Sequence, residues 1–447
     1  MELYENVGVD LPAPLESLSE LSFWHRADDH GYGKLTGLIH EEDVDTWAQT
    51  ADGAGLTVYD MKGGKNRVFA GLITNIRVRK GRQLQIELEF ASRSVLMDIE
   101  KKSRSFQKTG GTFEDRLLAI TREHGGDFMD RSKSGKTIRI PYIQLEETDW
   151  EFIKRLASAA GEHICPGIKG DIPQVYMGFG DEGKEGIFSL PDTVEKQVKE
   201  ALCFQQYKSG TEQSFLLCRV KSYDRYQLGD QIRCAGMSLQ VLEVQGRMEH
   251  GEWIYQYSLG QKKGQPLLER KNKALKGKTL MGTVLTVGKD QIKIHLDIDK
   301  EQKEADAFWY PFKRIDWYCM PELGARVGLY LPSDDESRAY VTGVHRTDGE
   351  ENEKSQDPQV KYLGTQPGKE WKFSPEGIQF HGSEERIFMR LDEEEGIQIQ
   401  SQDNISMTSQ GGIFFRGDQI EIEGGERVLL HTKQTFIVMD YKVQMKG

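Results

Sequence analysis

Only five cysteines stand in 447 residues, and Cys165, Cys203, Cys218, Cys234 and Cys319 are too far apart to form a C-x-x-C pair. That spacing excludes a disulfide framework and a thiolate metal site, so buried free thiols are expected. No run of 18 apolar residues occurs, and the start MELYENVGVD has neither a basic n-region nor an apolar h-region. The chain is therefore expected to be made and folded in the cytosol without a signal peptide. Metal signatures of the H-E-x-x-H or H-x-H kind are lacking, and the ten histidines are scattered with no G-x-S-x-G nearby. Lys133-Ser-Gly-Lys-Thr137 imitates the end of a phosphate loop, but Asp130 stands where its first glycine belongs, and a hairpin turn is expected instead. Gly178-Phe-Gly180 lacks a third glycine for a dinucleotide site. Catalytic residues, cofactor sites and metal sites are accordingly expected to be none. The net charge of −12 works against nucleic acid and anionic membranes as partners.

What the chain has in quantity is glycine, 47 residues, set among alternating apolar positions, the composition of a mainly β protein. Its last quarter carries apolar pairs at Ile397/Ile399, Ile405/Met407, Ile413/Phe415, Ile420/Ile422, Val428/Leu430 and Phe436/Val438, with steps of 8, 8, 7, 8 and 8. Each pair fits a short strand with alternate side chains on one face, and the Gly, Ser, Gln, Asp and Glu residues between pairs fit turns. A looser form begins at Trp371/Phe373, Ile378/Phe380 and Ile387/Met389, and Val443/Met445 extends it almost to Gly447. Stacked at strand spacing, these rungs make a rod of roughly 45 Å. An exposed apolar ridge of that length invites aggregation, and three chains turning their ridges inward remove it. A single-chain solenoid and a plain antiparallel sheet remain as alternatives.

The length suits about three domains. Residues 1–100 alternate like strands of a first small barrel, clearest at Leu84, Ile86, Leu88 and Phe90. Residues 101–197 hold a helical interlude. Thr112 caps a helix over residues 113–123, and Thr148 with Glu151 forms a capping box for a second helix, with Trp150, Ile153, Leu156, Ala157 and Ala160 toward its core. Residues 198–265 read as a second barrel. A polar linker over 261–278 predicts that this hub separates cleanly from the C-terminal remainder of the chain. Residues 276–347 suit a small oligonucleotide/oligosaccharide-binding (OB) barrel, 348–370 a solvated linker and 371–447 the β-helical spike. Phe308, Trp309, Tyr310 and Phe312 beside Lys313 and Arg314 could stack on single-stranded nucleic acid, but acidic neighbours favour a structural role.

Two stretches carry a likeness. Leu88-Glu-Phe-Ala-Ser-Arg-Ser-Val-Leu-Met97 with Ser103-Arg-Ser-Phe-Gln107 resembles the late strand and Ser-Arg-x-Phe-Gln segment of VgrG-type spike proteins and phage tail hub proteins. Gln144-Leu-Glu-Glu-Thr-Asp-Trp-Glu-Phe-Ile-Lys-Arg-Leu156, running to Gly161-Glu-His-Ile164, is similar to their Q-x-E-T-x-x-x-F-x-x-R-L segment. Tyr226-Gln-Leu-Gly-Asp230 and Pro321-Glu-Leu-Gly-Ala-Arg-Val327 resemble their hub and barrel turns. The resemblance implies a homotrimer, with six barrels in a pseudo-six-fold ring, three OB barrels as a neck and an intertwined triple-stranded β-helix as the point. It implies a non-enzymatic central spike and baseplate hub of a contractile injection machine, whether phage tail, tailocin, extracellular injection system or type VI secretion apparatus. Its partners would be the inner tube protein, baseplate proteins, effector cargo and the target cell envelope. The missing H-x-H suggests a separate PAAR-like tip protein, and no lysozyme-sized insert lies between neck and spike. A cell-envelope hydrolase delivered by such a machine and a single-chain carbohydrate-binding β protein are the rival readings.

Overall fold

The computed structural model describes residues 2–4, 6–180, 184–196, 215–261, 267, 269–313, 320–345, 353–365, 367–383, 386–431, 433–434 and 436–439. The chain divides into two compact units, Met1–His345 and Arg346–Gly447. In the first unit, β1 (Ser17–Arg26), β2 (Tyr32–Ile39), β3 (Gly55–Asp60), β4 (Asn66–Lys80) and β5 (Leu84–Ser92) form one lobe in the spatial order β3-β4-β5-β2-β1. After the helical segment, β6 (Thr193–Lys196), β7 (Leu216–Ser222), β8 (Gln231–Cys234), β9 (Met237–Glu249) and β10 (Glu252–Gly260) form a second lobe in the order β8-β9-β10-β7-β6. The two orders are identical with every strand number raised by five. The lobes, expected as two small barrels, are joined in one 13-stranded sheet, because β1 pairs antiparallel with β9 from Arg26 opposite Glu243 to Ser22 opposite Arg247. One apolar core serves both, running from Val7 through Phe69 and Phe90 to Tyr257 and Leu259. At the junction Gly246 is obligatory: a Cβ there would lie 2.4 Å from a ring carbon of Phe23.

The two expected helices are α1 (Phe113–Arg122) and α2 (Asp149–Ala159), each opened by a full capping box, Thr112 with Asp115 and Thr148 with Glu151. Trp150, Ile153, Leu156, Ala157 and Ala160 are all buried. The 133–137 segment is not a hairpin. It is an irregular loop wrapped on Asp130, whose carboxylate accepts the amide hydrogens of Ser132 and Ser134. Local carboxylate-to-backbone bonding of this kind competes with strand pairing.

Next come β11 (Lys278–Val287), β12 (Gln291–Leu296), β13 (Tyr310–Lys313), β14 (Arg326–Leu331) and β15 (Tyr340–Val344), a closed barrel in the order β11-β12-β13-β15-β14. β13 and β15 run parallel and the other pairings are antiparallel. The barrel is not detachable in the way its flanking sequence suggests. Ile143 and Leu145 belong to its core cluster, and Arg155 of α2 donates to Glu336 at 2.5 Å and to Glu147 at 2.9 Å, all three being buried. Ser105 donates to Asp299, and Gln107 to the Ile294 carbonyl.

In the second unit, β16 (Lys361–Gly364), β17 (Glu370–Ser374), β18 (Gly377–His381), β19 (Ile387–Asp392) and β20 (Gly396–Ser401) follow one another as an antiparallel meander. This is the antiparallel-sheet alternative for these residues, and it starts ten residues earlier than 371, within the stretch expected as linker. β21 (Val428–His431) and β22 (Phe436–Met439) form a hairpin. Between Gln402 and Arg427 no strand forms within the chain. Spacing alone does not explain the difference, since the step of 7 from Trp371 to Ile378 and the step of 8 from Val428 to Phe436 both close hairpins.

Candidate functional site: an uncovered apolar ridge and an open sheet edge

The meander gathers its large side chains on one face. Trp371 stands opposite Phe380, Phe380 opposite Met389 and Met389 opposite Ile399, while Phe373, Ile378, Leu391 and Ile397 make the neighbouring row. Trp371 and Phe380 meet edge-on with ring centroids 5.0 Å apart. Such rows stabilise a sheet, yet a single sheet leaves the outer half of each side chain in water. Ile397 and Ile399 are exposed, and so are Ile405, Met407, Ile413, Phe415, Ile420, Ile422 and Leu430, most of them with more than half of their surface in solvent. Val428 is half-buried. Phe436 and Val438 lie on β22, and their side chains fall outside the described residues, as do Val443 and Met445. The structure thus puts Ile397 and Ile399 in one sheet and joins Val428 and Leu430 to a second, and it leaves the pairs between them without an intrachain partner. Leu391, opposite Ile397, belongs to the ridge as well, and its alternation with Ile387 and Met389 is the signal for it.

Charge in the first unit is held by pairing. Asp149, at the start of α2, is buried and takes hydrogen bonds from Lys102 at 2.6 Å, His124 at 2.7 Å and Arg104 at 2.8 Å. Burial alone would raise its carboxyl, but the bonds from Lys102, His124 and Gln144 outweigh burial and hold it below the ordinary carboxylate range. Arg155 shows the same balance: burial disfavours its charge, while Glu336 and Glu147 restore it. His25 has no such support. Burial at the lobe junction pushes it down to about 4, with Nε2 bonded to the Pro166 carbonyl oxygen at 2.7 Å.

Cys165, Cys218 and Cys234 are buried free thiols, and burial raises the Cys165 thiol. Cys203 and Cys319 lie outside the described residues. Tyr310 is buried in the barrel core with Phe308 packed on it, which takes those aromatics out of any stacking platform, and Trp309 is partly exposed. Arg314 lies outside the described residues.

No protein-family model and no curated protein matches the chain. Solved structures do. The E. coli c3393 protein, described as a component of the type VI secretion system with structural similarity to the T4 bacteriophage tail proteins gp27 and gp5, matches 76% of this chain and 99% of its own at TM-score 0.55 and 14% identity. The Francisella PdpA-VgrG complex in its half-lidded form matches 88% of both chains at TM-score 0.53 and 8% identity, and its lidless form 86% of this chain at TM-score 0.51. At such identities the likeness is one of fold, and this chain shares the fold of the c3393 and PdpA-VgrG type VI secretion structures.

Proposed function

We propose that the chain is the non-enzymatic central hub and spike of a contractile injection machine and works as a homotrimer. The observation that carries this reading is the row of exposed apolar pairs from Ile397 to Leu430, which one chain leaves uncovered. Three copies turning Ile405, Ile413 and Ile420 onto a common axis would bury the row and supply ladder partners to residues 402–427. The product is a triple-stranded β-helix, stiff because stacked hydrogen bonds surround a dry interior, and so able to carry the thrust of sheath contraction into the target envelope. The 1-2-3-5-4 order of β11–β15, with the third and fifth strands parallel, supports an OB-type neck. The repeated strand order of the two hub lobes supports the adaptor role: two similar lobes in each of three chains offer six like surfaces to a six-fold inner tube. Baseplate proteins, effector cargo and a PAAR-like tip belong to the same reading.

Hydrogen exchange on the intact chain tests it. Amides over 404–427 have no strand partner within the chain, so slow exchange there must come from other copies. Exchange as fast as in an unfolded peptide would remove the spike from the proposal.

A further inference from the structure

The two lobes agree residue by residue. Aligning the bulge of β4, between Ile73 and Asn75, with that of β9, between Val241 and Glu243, superposes Leu56 on Ile232, Val58 on Cys234, Leu35 on Val220, Leu88 on Tyr257 and Phe90 on Leu259. All ten side chains are buried in the shared core. Yet the two lobes are not equally complete. The second has β1 of the first lobe paired along β9 from Glu243 to Arg247. The matching stretch of β4, Asn75 to Arg79, pairs only with β5 among the described residues, and Asn75, Arg77 and Arg79 are exposed. The strand that matches β1 is β6, which pairs only with β7 among the described residues and is exposed along its length. Among the described residues, each chain therefore carries one filled strand joint and both halves of a second, empty one.

We propose that β6 of a second copy of this chain adds antiparallel to the open edge of β4, with Val194 opposite Val78, Glu195 opposite Arg77 and Thr193 opposite Arg79. The register is that of the filled joint carried over, in which Phe23 lies opposite Gly246, Trp24 opposite Gln245 and Ser22 opposite Arg247. Side-chain size agrees with it: a ring over a glycine in the filled joint becomes valine over valine in the empty one, and Val194 is now exposed. Charge agrees as well. Lys34 and Arg77 flank Glu87 at 3.1 and 2.7 Å in the first lobe, and Arg219 holds Glu195 at 3.1 Å in the second. Bringing Glu195 beside Arg77 joins these into an alternating row, Lys34, Glu87, Arg77, Glu195, Arg219, across the two chains. Opposite charges placed across a strand pair favour the joint and like charges oppose it. Because the contact is head-to-tail, repeating it propagates from copy to copy and closes a ring only if the rotation allows. This inference rests on the assembly proposed above and names its hub contact.

The test is the full-length Val78→Cys/Val194→Cys variant under mild oxidation. Cα atoms of opposed antiparallel residues are about 4.5–5.5 Å apart, within disulfide range. The expected result is chain-to-chain cross-linking that ends in a closed trimer band on a denaturing gel, while a mixture of the two single variants stops at dimers. The out-of-register pair Ile76→Cys/Val194→Cys should give roughly ten-fold less product. As a second measurement, Arg77→Gln and Glu195→Gln should each weaken the hub contact, and the double variant should weaken it by less than the two single losses added together. An oligomer of native mass with no in-register cross-link, or with equal cross-linking in both registers, overturns this strand joint and leaves the spike reading standing. A native chain that is monomeric in solution overturns both.

Discussion

The two units of this chain bury their side chains very differently. Among the described residues, every fully buried apolar side chain lies at or before Val341, and in the second unit the large apolar residues face solvent. The first unit closes its cores with its own residues, even to the extent of satisfying a buried arginine. The second has a sheet, a hairpin and an unpaired stretch, with no second layer to cover them among its described residues. A domain normally buries apolar faces between two layers. One unit meets that condition within one copy and the other does not among its described residues, and on the proposed reading further copies supply what is missing.

The largest break in that contrast should come from a charge on the ridge. Ile405→Asp or Ile413→Asp would bring like charges together on an axis without partners and should abolish the assembly, while Asn404→Asp, at the exposed neighbouring position, leaves it intact, as sedimentation velocity would read. Equal tolerance at 404 and 405 would contradict the inward assignment.

A smaller break lies in the first unit. Arg155→Met leaves Glu147 and Glu336 buried without their cation and should cost about 3 to 5 kcal/mol of unfolding free energy in denaturant titration. The matching Glu336→Gln change should uncouple the barrel from α2. Acid should sharpen the picture. With His25 held at about 4 and an ordinary value near 6.5 when unfolded, the unfolded chain takes up the proton first. His25 should therefore take stability from the first unit as pH drops below about 6.5, its share complete near pH 4 and worth roughly 3 kcal/mol, while Asp149, held below the ordinary carboxylate range, adds a further loss at lower pH. His25→Phe should flatten that slope, and an unchanged slope would place the acid sensitivity elsewhere. The smallest effect is local: Thr148→Ala removes the cap of α2 and should cost about 1 kcal/mol.

How much of this the sequence carries depends on distance along the chain. Thr112 and Thr148 cap helices within three residues of themselves, and both helices fall where the capping residues put them. Barrel and lobe strands such as Gln231–Cys234 were legible from alternation and glycine punctuation for the same reason. The joint between β1 and β9 was not, because its partners lie more than 200 residues apart and edge pairing leaves no local pattern. Arg155 and Glu336, 181 residues apart, are likewise invisible as a pair, and the polar text of 261–278 masked how firmly the barrel is bonded to α2. The octads were legible as a period. Their partners were not, since a period states which side chains share a face and never what covers it.

If other copies of the same chain cover the ridge, the intact protein is a trimer in solution. Multi-angle light scattering on the intact protein, at micromolar concentration and moderate salt, tests it most directly. The expected result is a single species of about 153 kDa, three times the chain mass of 50.9 kDa. A species at 50.9 kDa, stable and soluble with the ridge exposed, would contradict it.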